Sequence, residues 1–163
     1  MENNDILVRL RYALDIKDTD MVQIFKLGEV EVTKDEVRMI LTKSSEDEDM
    51  DSEYVTKCNN KMLESFLNGF IIFKRGRQET KPGQPEKPAF SKESVNNILL
   101  KKVKIALSLT SEDIIDILAS AGVTITKGEL SALLRKEGHK NYKECGDKYA
   151  RNFLKGLAIR YRG

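Results

Sequence analysis

The sequence Thr33-Lys34-Asp35-Glu36 returns 93 residues later as Thr126-Lys127-Gly128-Glu129. Both stretches have the form of a capping box, in which a Thr hydroxyl and a Glu carboxylate satisfy free amides at the start of a helix. Apolar residues follow each box at helical spacing, and they are Val37, Ile40 and Leu41 in the first copy and Leu130, Leu133 and Leu134 in the second. The two stretches therefore predict the same helix twice.

Matching residues continue on both sides of the capping boxes, in an ordered series with one gap. Early in each copy the offset is 93, as for Ala13 and Ala106, and later it is 87, as for Cys58 and Cys145. The first copy therefore holds six extra residues near the acidic stretch 44–51, which we expect to be a solvated loop. The series predicts a tandem duplication of one module of about 70 residues.

Four helices are predicted in each module from the apolar spacing. We place the repeats at residues 4–76 and 97–163, joined by a linker at residues 77–96 that contains all three prolines. A single module of this size would bury only a marginal core. We therefore expect an all-α protein in which two tandem homologous four-helix modules pack together.

Two details of these helices can be predicted as well. The second helix of each repeat is expected to follow a capping residue, Asp18 in repeat 1 and Ser111 in repeat 2. Gly69 and Gly156 lie inside the fourth helix, where glycine costs about 1 kcal/mol relative to alanine. Their recurrence indicates close helix packing at that point, although a helix kink would explain it equally well.

The composition is that of a folded protein, with 40% hydrophobic and 33% charged residues. No apolar run approaches the roughly 18 residues needed to span a bilayer. The acidic start, residues 1–5, lacks the positive and apolar regions of a signal peptide. We expect a cytoplasmic location, in which Cys58 and Cys145 are reduced thiols.

Residues 98–107, with the sequence ILLKKVKIAL, and the run from Gly138 to Leu157 carry a resemblance to a known family. The chain resembles the YehS-like proteins, a bacterial family whose members carry a duplicated domain of unknown function. The resemblance covers essentially the whole chain, but the first copy departs from it through its acidic insertion. It implies a shared fold and a bacterial cytoplasm. Because the family has no established activity, the resemblance assigns no functional residues.

The reactive residue types argue against most kinds of catalysis. His139 is the only histidine, so a Cys–His pair is conceivable only with Cys145, and the matching Cys58 has no histidine in its module. We interpret both thiols as small apolar core residues. Two Cys and one His fall short of a four-ligand zinc site. We therefore expect a protein that is not an enzyme and that has no metal or cofactor.

The second and third helices of each module have the ingredients of a helix-turn-helix, since a short Gly-containing turn precedes a capped helix. If the third helix entered a major groove, the contacts in repeat 2 would be Lys127, Ser131 and Arg135. In repeat 1 they would be Lys34, Asp35 and Arg38, of which the aspartate would face phosphates unfavourably. The pattern is unspecific, because many helical proteins turn in this way without touching DNA.

Residues 135–143, between the last two helices of repeat 2, are rich in cations and include one Tyr and one Asn. Such a run suits phosphate contact together with stacking on an unpaired base. The alternative is a solvated loop whose Tyr tucks into the core. Further cations that would extend a basic patch are Lys101, Lys102, Lys104, Arg160 and Arg162. The candidate nucleic-acid-binding residues are Lys127, Arg135, Lys136, His139, Lys140, Asn141, Tyr142 and Lys143.

The two halves differ in charge. Residues 4–76 carry 11 Lys and Arg against 15 Asp and Glu, whereas residues 97–163 carry 13 against 7. Opposite charges can help the halves dock, or they can leave the second half to meet an acidic partner. We favour a non-enzymatic protein that binds nucleic acid or another polyanion through repeat 2. The alternative is a protein–protein interaction scaffold. Neither a membrane nor a small-molecule substrate is indicated.

Overall fold

A computed structural model describes residues 1–41, 58–76 and 93–162 of the chain. Within these ranges the chain forms helices and no strand, and four helices fall in each repeat, as the apolar spacing predicts. The helices are α1 (Asn3–Leu14), α2 (Asp18–Leu27), α3 (Lys34–Leu41), α4 (Asn60–Arg75), α5 (Val95–Ala106), α6 (Ser111–Ser120), α7 (Lys127–Leu134) and α8 (Asp147–Arg162).

The repeats pack through their first and last helices, each of which contacts a helix of the other repeat. The first helix of repeat 1, α1, packs against the last helix of repeat 2, α8, and in the same way α4 packs against α5. Within each repeat the second helix joins the third and the fourth, in the pairs α2–α3 and α2–α4 and the pairs α6–α7 and α6–α8. The buried apolar side chains of both repeats therefore form one core. The expectation of two modules packed together is confirmed.

Equivalent positions in the two repeats are 93 residues apart in the first three helices and 87 apart in the fourth. The acidic stretch 44–51 lies outside the described residues, as does most of the expected linker. At the end of that linker, α5 already begins at Val95, so residues 95–96 belong to the helix. None of the described helices combines the length and the apolar character needed to cross a membrane.

The helix starts confirm the predicted capping box at α3 and the Thr126 cap at α7, where the reciprocal bond to the Thr126 amide is not formed, and they correct the capping residues of the second helices. At α3 the Thr33 amide donates to Glu36 Oε1 at 3.2 Å, and the Glu36 amide donates to Thr33 Oγ1 at 3.1 Å. At α6, however, the capping residue is Thr110 and not Ser111, and it forms a capping box with Asp113. At α2 the cap position is Lys17 and not Asp18, and its side chain makes no capping hydrogen bond.

The two glycines of the fourth helices mark places where helix backbones nearly touch. A Cβ atom on Gly69 would lie 2.0 Å from the carbonyl oxygen of Ile24 in α2. A Cβ atom on Gly156 would lie 2.1 Å from the carbonyl oxygen of Ile117 in α6. Both distances are far below van der Waals contact, so only glycine permits this approach. Close helix packing is therefore the reason for these glycines.

Candidate nucleic-acid interface

Asn97 of α5 anchors the loop between α7 and α8, residues 135–146, through buried hydrogen bonds. This side chain is fully buried, and its Nδ2 donates to the carbonyl oxygens of Leu133 at 2.9 Å and Lys143 at 3.0 Å. Its Oδ1 accepts from the Cys145 amide at 2.8 Å. One amide thus satisfies three backbone groups, two of them on the loop. Buried polar groups left without such partners would be costly.

Repeat 1 contains the same anchor. Asn4 Nδ2 donates to the Ile40 carbonyl oxygen at 2.8 Å, and Asn4 Oδ1 accepts from the Cys58 amide at 2.9 Å. Asn4 and Asn97 occupy equivalent positions of the two repeats, 93 residues apart, but the sequence pattern did not predict the hydrogen bonds that they form. The available signal was that an amide side chain recurs on an otherwise apolar helix face, which favours a buried hydrogen-bonding role.

Glu93 provides a second anchor for the loop. Glu93 Oε1 accepts hydrogen bonds from Lys101 Nζ at 2.6 Å and from the Glu137 amide at 2.8 Å. Burial alone would raise the pKa of Glu93, but these hydrogen bonds outweigh it and lower the pKa. The Lys101 ammonium also lies 5.7 Å from the centre of the Tyr142 ring, within cation–π range. Tyr142 is half-buried. Its placement therefore favours the interpretation in which this ring supports the loop, and not stacking on a base.

Four cations of the loop project into solvent. Arg135, Lys136, Lys140 and Lys143 are all exposed, and none of them is ion-paired with an acid in the part of the chain that the structure describes. His139 and Asn141 are exposed as well, and the Asn141 amide donates to His139 Nδ1 at 3.0 Å. These two residues therefore shape the turn that carries the cations.

Lys127 does not belong to this cluster. It lies at the start of α7, and the loop begins at the end of that helix, eight residues and about 12 Å away. Its ammonium forms an ion pair with Glu112 at 3.3 Å. The structure therefore separates Lys127 from the other candidate residues.

The structure also weakens the helix-turn-helix interpretation. α7 ends at Leu134, and Arg135 follows in an extended conformation, so it does not lie on the helix that would enter a groove. In repeat 1 the Arg38 guanidinium is ion-paired with Asp18 at 3.6 Å and Asp35 at 3.9 Å. Because α7 is only two turns long, Arg135 belongs to the loop, as its place in the basic run predicts, and not to a recognition helix.

The cations expected to extend the basic patch are mostly engaged elsewhere. Lys102 is partly buried between the repeats, where burial lowers its pKa and Glu64 partly offsets this effect. Arg160 pairs with Asp113 at 3.4 Å, and Arg162 pairs with Asp15 at 3.5 Å. Both arginines lie in the last turn of α8, about 20 Å from the loop along the helix. Lys101 contacts the Tyr142 ring and is joined to the Glu137 amide through Glu93.

The two thiols are buried, and neither is activated for nucleophilic attack. Burial raises the pKa of Cys58 and of Cys145 to about 12, which is the opposite of the shift that a nucleophile needs. The Cys145 thiol donates to the Gly146 carbonyl oxygen, while His139 Nδ1 accepts from a backbone amide. Among the described residues, no group of three or more His, Cys, Asp or Glu side chains is arranged to hold a metal ion.

The eight helices of the described ranges, in two like halves, define an all-α protein built from a duplicated domain. The family described as "Protein of unknown function (DUF1456)" matches residues 3–76 and again residues 96–163, and the chain belongs to this family. It is 41% identical over 161 residues to the uncharacterized protein YehS of Escherichia coli (strain K12). The matched region covers 98% of this chain and 96% of that protein. The resemblance to the YehS-like proteins is therefore confirmed. No solved structure matches the chain.

Proposed function

We propose that this chain is a non-enzymatic, cytoplasmic protein that binds a polyanion, with nucleic acid as the favoured class, through the 135–143 loop of repeat 2. The observation that carries the proposal is the set of four exposed cations, Arg135, Lys136, Lys140 and Lys143, which have no acidic partner within the described ranges. Cations of this kind release counterions from a phosphate backbone when they bind it.

The anchoring of the loop supports the same proposal. Asn97 and Glu93 hold its backbone through hydrogen bonds at residues 137, 143 and 145. A loop that is ordered before binding loses less conformational entropy when a ligand arrives. The loop also contains Glu137, whose charge reduces the attraction, so we expect modest affinity and strong dependence on salt.

Electrophoretic mobility shift with labelled single- and double-stranded RNA and DNA at low salt tests the proposal. We expect a shift that the triple variant Lys136→Glu, Lys140→Glu, Lys143→Glu abolishes. A matched control reverses three exposed lysines of repeat 1, Lys17, Lys34 and Lys61, which changes the net charge by the same amount. The logarithm of the affinity should fall with the logarithm of the salt concentration, by about 0.9 for each phosphate contacted on duplex DNA.

Three results would contradict nucleic-acid binding through the 135–143 loop. They are the absence of any shift at low salt, equal loss in the control triple variant, and an affinity that is independent of salt. A pull-down that returns one stoichiometric protein and no nucleic acid would favour the scaffold alternative instead.

A further inference from the structure

The two junctions between the repeats are equivalent in sequence but differ in how well they are filled. In the α4–α5 junction, Ile98 is buried and Ile71 packs against the core. The equivalent residues of the α1–α8 junction are Asp5 and Ala158, one of them charged and the other small. A groove of about 430 Å³ opens there, above a floor of Val8, Leu154 and Ala158. We call it the α1–α8 groove.

The charges at the two junctions have diverged as well. At the α4–α5 junction the Glu64 carboxylate is buried, and its charge acts to raise the pKa of Lys102 on the facing helix. Asn68 follows Glu64 one turn later in α4. The equivalent residues at α1–α8 are all cations, namely Arg151, Arg9 and Lys155. These three side chains are exposed, and no ion pair within residues 1–41, 58–76 and 93–162 involves them.

Arg9 and Lys155 line the groove directly, from opposite helices. The one acid in its lining is Asp5, and its carboxylate accepts a hydrogen bond from the Glu2 amide as part of the α1 cap. That bond holds the Asp5 carboxylate at the start of α1. The groove therefore offers positive charge from both walls.

An aromatic ring completes the lining. Tyr12 is 60% exposed, which is unusual for so large a ring, and the Arg162 guanidinium lies 4.3 Å from its centre. Exposed aromatic rings are surfaces on which nucleic-acid bases stack. A concave site with an apolar floor, a few convergent cations and an aromatic wall suits a ligand that has both a flat body and an anionic group.

We propose that the α1–α8 groove binds a free nucleoside monophosphate. Arg9 and Lys155 hold the phosphate, and the base lies on the apolar floor beside Tyr12. The volume of the groove is within the range of sites that enclose one small ligand. The site shares no residue with the 135–143 loop, so it stands or falls independently of the proposed function. The amino-acid sequence shows nothing of it, because its two walls come from opposite ends of the chain.

Isothermal titration of the full chain with AMP, GMP, CMP and UMP tests the site, with the nucleosides and inorganic phosphate as comparison ligands. We expect at least one monophosphate to bind with one molecule per chain. Its nucleoside and inorganic phosphate should each bind at least about tenfold more weakly, because each makes only half of the contacts. The Lys136→Glu, Lys140→Glu, Lys143→Glu variant should bind the monophosphate as the parent does.

Substitutions copied from the α4–α5 junction make the test specific. Lys155→Asn should weaken binding about tenfold or more, since it removes a charge-assisted contact. Ala158→Ile should abolish binding by filling the groove. Lys148→Asn, the same change on an exposed lysine of α8 outside the groove, should have no effect, and circular dichroism should show equal helicity in all three variants. The proposal is overturned if none of the four monophosphates binds, or if Lys155→Asn and Ala158→Ile bind as the parent does.

Discussion

Arg162 of repeat 2 donates a hydrogen bond from Nη1 to the carbonyl oxygen of Tyr12 in repeat 1, at 2.9 Å. The equivalent arginine of repeat 1, Arg75, donates to the carbonyl oxygen of Ile105 in repeat 2, at 3.5 Å. The last carbonyls of a helix lack intrahelical donors. Each fourth helix therefore supports the C-terminal turn of the first helix of the opposite repeat.

Loss of the Arg162 contact should destabilise the protein measurably. Arg162→Ala removes the hydrogen bond to Tyr12, the stacking on its ring and the ion pair with Asp15. Because this side chain is partly exposed, we expect a loss of only about 1 kcal/mol in the free energy of unfolding. Urea denaturation measures it. Arg75→Ala should cost less, and Arg151→Ala on the exposed face of α8 should cost nothing. Equal losses in the Arg162 and Arg151 variants would contradict the role of the contact.

The closest helix contacts should not tolerate a methyl group. Gly69→Ala and Gly156→Ala each place a Cβ about 2 Å from a backbone oxygen, so the helices must separate. We expect each to lower the free energy of unfolding by about 3 kcal/mol. Gly128→Ala is the control, since its Cβ would meet nothing closer than 4.0 Å in α7. That change should stabilise the protein by up to about 1 kcal/mol. Thermal unfolding that orders the three variants differently would rule out this explanation.

The buried amide of Asn97 should control the order of the 135–143 loop. Asn97→Ala leaves the Leu133 and Lys143 carbonyls and the Cys145 amide without their partner. We expect a loss of about 3 kcal/mol in stability and faster amide exchange from residue 137 to residue 145. Asn152→Ala removes only a surface hydrogen bond within α8 and should leave both measurements unchanged. If exchange in the loop is the same in both variants, the anchor is not Asn97.

Acid should loosen the same loop through Glu93. Its pKa in the folded protein is lowered from 4.5, so the folded state binds its proton less readily than the unfolded state. The stabilisation is therefore complete above pH 4.5 and is lost as the pH falls below that value through the folded pKa. The protection factor of the Glu137 amide, measured by hydrogen exchange, should drop in this window. In the Glu93→Gln variant the same protection factor should already be lower than in the parent above pH 4.5, and it should not change in this window.

Both thiols should react slowly while the protein is folded. With a pKa of about 12 in place of 9.0, each thiol is ionised about 1000-fold less at pH 8, and burial also blocks access. Alkylation by iodoacetamide, followed by mass spectrometry, should label Cys58 and Cys145 only in concentrated urea. Rapid labelling of Cys145 in the native protein, with Cys58 spared, would instead point to a reactive site in repeat 2.

Much of the fold could be predicted because the sequence pattern of each helix occurs twice in the chain. Thr33 and Thr126 recur in the same pattern, and the structure places both at helix starts. The sequence pattern predicts Ser111 in place of Thr110 as the cap of α6, because the two residues are adjacent and both are good capping residues. The Asp113 carboxylate, three residues after Thr110, decides between them. The pairing of α1 with α8 could not be predicted, since helical periodicity identifies an apolar face but not the helix that covers it.

Less of the candidate site could be predicted. The cations from Arg135 to Lys143 form one loop in the structure, because they are contiguous in the chain. Lys127 is a candidate because it would be a helix-turn-helix contact, but α7 separates it from the loop. The role of Glu93 was hidden because its partners, Lys101 and Glu137, are 8 and 44 residues away. A contact of that kind leaves no periodic signal.

The packing of first and last helices across the repeats has a consequence for how such a chain can arise and change. Two identical modules that pack through these helices would form a symmetric homodimer, in which the two junctions are the same. In that state every substitution falls on both junctions at once. Joining the modules in one chain removes this restriction, because Glu64 and Arg151, or Ile71 and Ala158, are then separate residues. One junction can keep its buried side chains and hold the molecule together while the other is free to open as a groove.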